Sequence, residues 1–192
     1  MLDKIEAIKR ALECECYLPA LALALTLPDI CGKVEYPKYN VGNRYENWFD
    51  NWVEHLYADP SGWDNDKRAK NPYFTGRLCY GLRCAFLHSG DSNIKEKFWG
   101  DQENDEYRYS YHFELCINGS DSFGETWETP HKEIKRIEKQ KTVQINIVTL
   151  CKNICSAAEK YYKYKGKEAF ADHIINLRDI QAEVDGFERF KN

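Results

Sequence analysis

Two residues in this chain have side chains and a spacing suited to acid–base work at a phosphate. They are Arg83 and His88, an R-x4-H pair inside GRLCYGLRCAFLHSGD. Histidine titrates near neutrality, so it can take and return a proton in one cycle. Arginine stays protonated, and its planar fork matches phosphate oxygens. RNA carries its own nucleophile, the 2′-hydroxyl beside each phosphodiester. Cutting it without a metal needs a group for that proton, a cation on the developing charge, and a proton for the leaving 5′-oxygen. A histidine and an arginine cover those tasks if both reach one phosphate.

Their spacing makes a structural demand. On an ideal α-helix, residues five apart lie about 140° apart around the axis and about 7.5 Å along it. One straight helix therefore does not aim both at one phosphate. A loosened last turn at His88 relieves the mismatch, and so does a symmetric dimer in which two Arg83 and two His88 line one cleft.

The element that carries the pair reads as one helix over residues 71–91. Pro72 sits where a first turn tolerates proline, and Ser89-Gly90-Asp91 is a stop signal. Leu78, Leu82, Ala85 and Phe86 recur at helical spacing, which gives this helix a core face. Before it, residues 3–13 carry Ile5, Ile8 and Leu12 on one side. A second helix starts near Tyr17 with Pro19 in its first turn, and it is apolar almost all round. Pro28 either kinks or restarts it, and Gly32 offers a stop unless the chain stays helical to Tyr36. Residues 39–57 form an aromatic helical stripe with Tyr45, Trp48, Phe49 and Trp52, and 58–71 is a loop by composition.

After the central helix the chain is irregular to Tyr107, with Phe98-Trp99 as an anchor. The period then changes to two: Tyr109, Tyr111, Phe113, Leu115 and Ile117 alternate with polar residues, and Val143, Ile145 and Ile147 do the same. These predict two strands of a small antiparallel hairpin over about 107–148, with residues 120–141 as a long solvated excursion. Helix resumes near Val148 and runs through the KYYKYKGK segment, where lysines alternate with tyrosines. A last short helix is expected over 170–180, and the tail at 186–192 is expected to fray.

Bulk properties exclude some classes. The 192 residues carry a net charge of −4, so the chain is no polycation that coats nucleic acid. From Lys67 to Lys97, however, seven basic residues face two acidic ones, which suits an anionic ligand at the central helix. The apolar run over 18–27 is short of a membrane span. The eight cysteines include no C-x2-C pair matched by a second ligand pair, so reduced core thiols are expected, with metal or disulfides as lesser alternatives. No metal and no cofactor is called for, and the expected location is the cytoplasm.

The segment Arg83-Cys-Ala-Phe-Leu-His88 on an internal helix resembles the R-x4–6-H signature of HEPN domains (higher eukaryotes and prokaryotes nucleotide-binding). The ALALALTLPDICG stretch at 20–32 is similar to the opening helices of bacterial proteins of this architecture. The resemblance implies a mainly α fold, a HEPN-like antiparallel helical bundle in one domain over 1–192, with the hairpin inserted before the C-terminal helices. It implies a metal-independent endoribonuclease acting on RNA as a homodimer, in toxin–antitoxin or anti-phage defence, with an antitoxin as a possible protein partner. Arg83 and His88 would be catalytic, and Arg77, Cys84 and Lys95 would contact substrate. Cys84 departs from the family pattern, in which the residue after the arginine is commonly polar. That departure keeps open an inactive nucleotide- or protein-binding scaffold. A third reading makes Arg83 and His88 packing residues of an interaction protein unrelated to RNA.

Overall fold

The computed structural model describes residues 1–58, 71–101, 107–128, 137–173, 175 and 178–181. Residues 59–70 of the expected loop at 58–71, the tail at 186–192 and part of the 120–141 excursion lie outside the described residues. Helix α1 (Leu2–Glu13), α2 (Tyr17–Ala24), α3 (Leu27–Glu35) and α4 (Val41–Trp52) lead the chain. Helix α4 starts at Asn40, whose side chain accepts the Asn43 N–H at 2.9 Å and so satisfies a donor that a helix start leaves orphaned. Its aromatic stripe is core: Tyr45, Trp48 and Phe49 are fully buried.

The apolar stretch before α4 restarts at Pro28. Leu25 and Thr26 form a turn, with the Thr26 hydroxyl donating to the Leu23 carbonyl at 2.7 Å. Pro28 then falls in the first turn of α3, where its missing N–H leaves nothing unpaired. Taken together, Tyr17–Glu35 is long and apolar enough to cross a membrane by length and composition, more than the shorter run suggested. Leu21, Leu25, Leu27 and Cys31 of this stretch are nevertheless wholly buried within the protein's own core.

Helix α5 (Gly76–Cys84) begins later than the sequence implied. Asn71 has φ of 46°, and the Tyr73 N–H donates to the Tyr57 carbonyl at 2.9 Å, so the chain before Thr75 is tied down in a non-helical path. Thr75 caps the helix by accepting from the Leu78 N–H. Gly76 lies hard against the Glu46 carbonyl of α4, where a Cβ would collide, and its N–H donates to Asp50 at 2.6 Å. Helix α6 (Ile147–Lys165) closes the bundle, and Tyr161 receives Trp48 and Trp52 edge-on at 5.8 and 5.1 Å. The short helix expected over 170–180 is instead a 3-10 turn at Lys167–His173, with Phe170 buried.

The sheet corrects the expected architecture. Strands β1 (Tyr107–Cys116), β2 (Ser122–Glu128) and β3 (Ile137–Asn146) lie in the order β1-β3-β2. β1 runs parallel to β3, from Tyr107 opposite Ile137 to Cys116 opposite Asn146. β2 is antiparallel to β3, with Glu125 opposite Lys141. The two alternating segments are thus parallel neighbours, and the HEPN-like bundle with an inserted antiparallel hairpin is not the observed fold. The excursion between them holds a third strand. Every residue of β2 is exposed and Gly124 interrupts it, so it gave no alternating apolar signal. Because β2 runs back, β3 returns in the direction of β1 and slots between the two.

Residues 117–121 step from one side of β3 to the other over its C-terminal end, and Asn146 holds that crossing. Its N–H donates to Asp121 at 2.6 Å, and its side-chain amide donates to the Gly119 carbonyl at 2.8 Å. Its side-chain oxygen accepts the Thr149 N–H at 2.9 Å, which caps α6. Asn146→Ala removes the cap and one buried hydrogen bond, and is expected to cost about 2 kcal/mol. Urea unfolding measures this, and a midpoint equal to the parent's would mean that the crossing is held by something else.

Candidate functional site

Helix α5 does not end as an α-helix. Residues Ala85–Ser89 form a π turn, and Gly90, with φ of 72°, closes it in the left-handed region. A π turn bonds i to i+5 and so takes up one extra residue. That turns His88 part of the way back from the roughly 140° separation of a straight helix, without bringing it and Arg83 into one cavity. The loosened last turn that the spacing required is present.

His88 is exposed and lines a cavity of about 320 Å³ together with Cys84, Asp91, Asn93, Lys95 and Lys97. Gly81 and Ala85 form its helical side, and the segment after the π turn forms the other. Three contacts hold that segment. The Asn93 N–H donates to Asp91 at 2.8 Å, the Phe98 ring meets Tyr80 edge-on at 6.0 Å, and Arg77 donates to the Lys97 carbonyl. The wall can approach this closely because position 81 is glycine. A Cβ there would come within 2.7 Å of Ile94 and 2.9 Å of the Phe98 ring.

Two lysines and a histidine therefore line a space with one aspartate, and the Asp91 carboxylate already accepts from Asn93. The Lys97 ammonium lies 4.8 Å from the Phe98 ring centroid. Such a site favours an anion that can reach several donors, as a phosphate does. Arg83 is not among the lining residues. Its guanidinium lies 5.8 Å from the Tyr80 ring, and its Nε is buried with no hydrogen-bond partner among the described residues. Burial and the neighbouring Cys84 raise the Tyr80 phenol above its ordinary pKa, while Arg83 opposes them.

Of the residues singled out by sequence, the structure thus brings Cys84, His88 and Lys95 into one cavity. Arg77 braces the cavity from behind, and Arg83 points away from it within one chain. Lys97, Asp91 and Asn93 were not singled out as site residues. Lys97 belonged to the basic zone, and Asp91-Ser92-Asn93 had the composition of a turn that could re-aim the chain. Lys67, Arg68 and Lys70 of that zone lie outside the described residues.

The remaining nucleophiles and ligands serve packing or surface contacts. All eight cysteines are free, and burial pushes the Cys79, Cys151 and Cys155 thiols up to about 12, which keeps them protonated. His112 pairs with Glu114 at 2.7 Å on the outer face of β1, and burial is the main cause that lowers His55. His131 is outside the described residues. Among the described residues, no group of three or more His, Cys, Asp or Glu is placed to hold a metal ion.

Comparison with protein-family models, with curated proteins and with solved structures returned no match to this chain.

The wall of the cavity is testable through its glycine. Gly81→Ala must displace Ile94 and Phe98 and is expected to lower stability by about 1–3 kcal/mol. Gly124→Ala, where a Cβ meets nothing within 4 Å, is the control. Equal urea midpoints for the two variants would mean that the wall yields freely.

Proposed function

We propose that the protein is a metal-independent endoribonuclease that works by the R-x4-H chemistry of HEPN enzymes. The observation that carries this reading is the π turn. It presents His88 to a lysine-flanked cavity one turn after an arginine whose buried Nε–H has no acceptor among the described residues. A buried unpaired donor of that kind is costly, and a phosphate oxygen would satisfy it.

In this mechanism His88 takes the proton of an RNA 2′-hydroxyl as that oxygen attacks the adjoining phosphorus. The bond to the 5′-oxygen breaks, and a protonated histidine returns a proton to the leaving group. Arg83 stabilises the charge on the phosphorane oxygens, while Lys95 and Lys97 hold the neighbouring phosphate. The products are a 2′,3′-cyclic phosphate and a 5′-hydroxyl. Within one chain Arg83 and His88 do not share a cavity, so the reading pairs His88 of one copy with Arg83 of a second across a two-fold seam. Leu87, beside His88 and 37% exposed, supplies apolar surface for such a seam. Cytoplasmic RNA is the substrate in this reading, and a toxin–antitoxin or anti-phage role would add an antitoxin that covers the same seam.

Cys84 favours a second reading, an inactive member that binds nucleotide or protein without cutting. A thiol hydrogen-bonded to Tyr80 offers a poor orienting group beside the arginine.

The two readings separate in one assay with purified protein and RNA in excess chelator. Cleavage that leaves cyclic-phosphate ends, reduced about 100-fold or more in both Arg83→Ala and His88→Ala, is the expected result. If both variants cut as fast as the parent, the pair is not the site. Binding without cleavage by the parent protein would favour the second reading. Light scattering should give a dimer mass for the active form.

A further inference from the structure

The strand register places an aromatic and lysine-rich surface on one face of the sheet. Directly opposed residues share a face, so Tyr111, Lys141 and Glu125 form one row across it, and Tyr109, Lys139 and Trp127 form the next. The row below, Phe113, Val143 and Phe123, begins the part of this face that the helices cover, with Phe113 and Val143 buried. Beyond it the face emerges from the core. Trp127 is 65% exposed and Phe123 50% exposed, large apolar rings that the fold itself leaves uncovered.

Two of these rings already hold a planar group from elsewhere in the chain. Trp99 stacks on Tyr111 with centroids 4.8 Å apart, and Tyr73 stacks on Phe123 at 4.4 Å with planes 7° apart. Between these stacks opens a cleft of about 490 Å³, within the size range of small-molecule sites. Tyr73, Trp99 and Phe123 are among its lining residues, and Lys141, Glu125 and Thr75 add a donor, an acceptor and a hydroxyl. A nucleobase has the complementary form, two flat apolar faces and an edge of donors and acceptors.

The lysines here act less as phosphate clamps than as ring partners. Lys139 lies 4.4 Å from the Tyr107 ring centroid and 5.9 Å from that of Tyr109, and Lys141 lies 5.5 Å from that of Tyr109. Each is also neutralised, Lys139 by Glu125 at 3.1 Å and Lys141 by Asp101 at 2.7 Å. Attraction at this surface therefore comes from stacking more than from net charge.

The surface adjoins the His88 cavity across the segment that carries Lys97 and Trp99. Lys97 lines that cavity and also a smaller hollow of about 130 Å³ with Glu96, Tyr109, Tyr111 and Asp101, whose carboxylate pairs with Lys141. Leu78 at the cleft and Gly81 at the cavity are three residues apart on α5, about 4.5 Å along its axis.

We propose that this sheet face is a stacking platform for single-stranded nucleic acid, with one base in the cleft and the next on the Tyr109–Trp127 row. The neighbouring phosphate is thereby delivered past Lys97 to His88. The choice of RNA as the polymer rests on the ribonuclease reading. The stacking surface does not. A duplex keeps its base faces internal, so it cannot use this platform.

The probe is a short fluorescein-labelled single-stranded RNA of mixed sequence, bound to His88→Ala protein so that it stays intact and followed by anisotropy. Adding Trp127→Ala is expected to weaken binding about fivefold or more, with Trp127→Phe restoring most of it. Phe123→Ala should weaken it similarly, and circular dichroism checks that each variant is folded. The duplex of the same sequence should bind less tightly. Affinity for the single strand should fall less steeply with salt than the ~1,000-fold or greater loss of a many-phosphate contact. Equal affinity for Trp127→Ala and the parent background, or for duplex and single strand, overturns the platform. If the otherwise unaltered protein cuts RNA while Trp127→Ala changes neither cutting nor binding, the platform fails and the ribonuclease reading stands. If the strand binds through Trp127 but is never cut, the reverse holds.

Discussion

The structure depends on the junction at Asn146, where β3 passes into α6 without an intervening loop. A strand end and a helix start both leave backbone groups to satisfy, and one side chain serves both. Asn146 caps α6 through its oxygen, and its two N–H groups anchor the crossing between β1 and β2. Asn146 is 7% exposed, so these bonds are made where water does not compete freely. Asp121, which accepts from it, is raised above its ordinary pKa chiefly by burial, and the Asn146 N–H opposes that rise. Asn146 and the buried Phe113, Val143 and Ile145 together hold the sheet against the helices and leave the rest of its face open.

A second constraint is the close approach of α5 to its neighbours. Gly76 brings its N-terminus onto α4, and Gly81 lets the segment with Ile94 and Phe98 lie flat against its middle. Beyond these two contacts the helix ends in the π turn at Ala85–Ser89. Trp99 then carries the same segment on to β1 by stacking on Tyr111. The segment between α5 and the sheet thus forms one wall of the His88 cavity and one wall of the aromatic cleft. The two spaces therefore share this segment as a common wall.

The helices were legible in the sequence because their signals are local. The Tyr45, Trp48 and Phe49 stripe marked α4, Pro28 a kink or restart, and Gly90 a stop. The sheet was only half legible. The alternation of β1 and β3 is a local property, but their partner and direction are not. Strand β2, exposed along its length, carried no alternating apolar pattern, so an antiparallel hairpin seemed the simplest connection of the two visible strands. The start of α5 moved for a comparable reason: Tyr73 bonds to Tyr57, a contact that residue types in 71–75 do not reveal.

For the site, the sequence alone determined which residue types were available: an arginine and a histidine five apart, a thiol between them, and lysines following. It also determined that a regular helix could not aim the pair together, because helical angles per residue are fixed. Tertiary structure decided the rest. The π turn re-aims His88, and the segment at 91–98 folds Lys95 and Lys97 back over it. Arg83 turns toward Tyr80, and the register of three strands gathers Tyr109, Tyr111, Lys139, Lys141 and Trp127 on one face. Each of these rests on contacts between residues far apart in the chain, whose energies no local periodicity encodes.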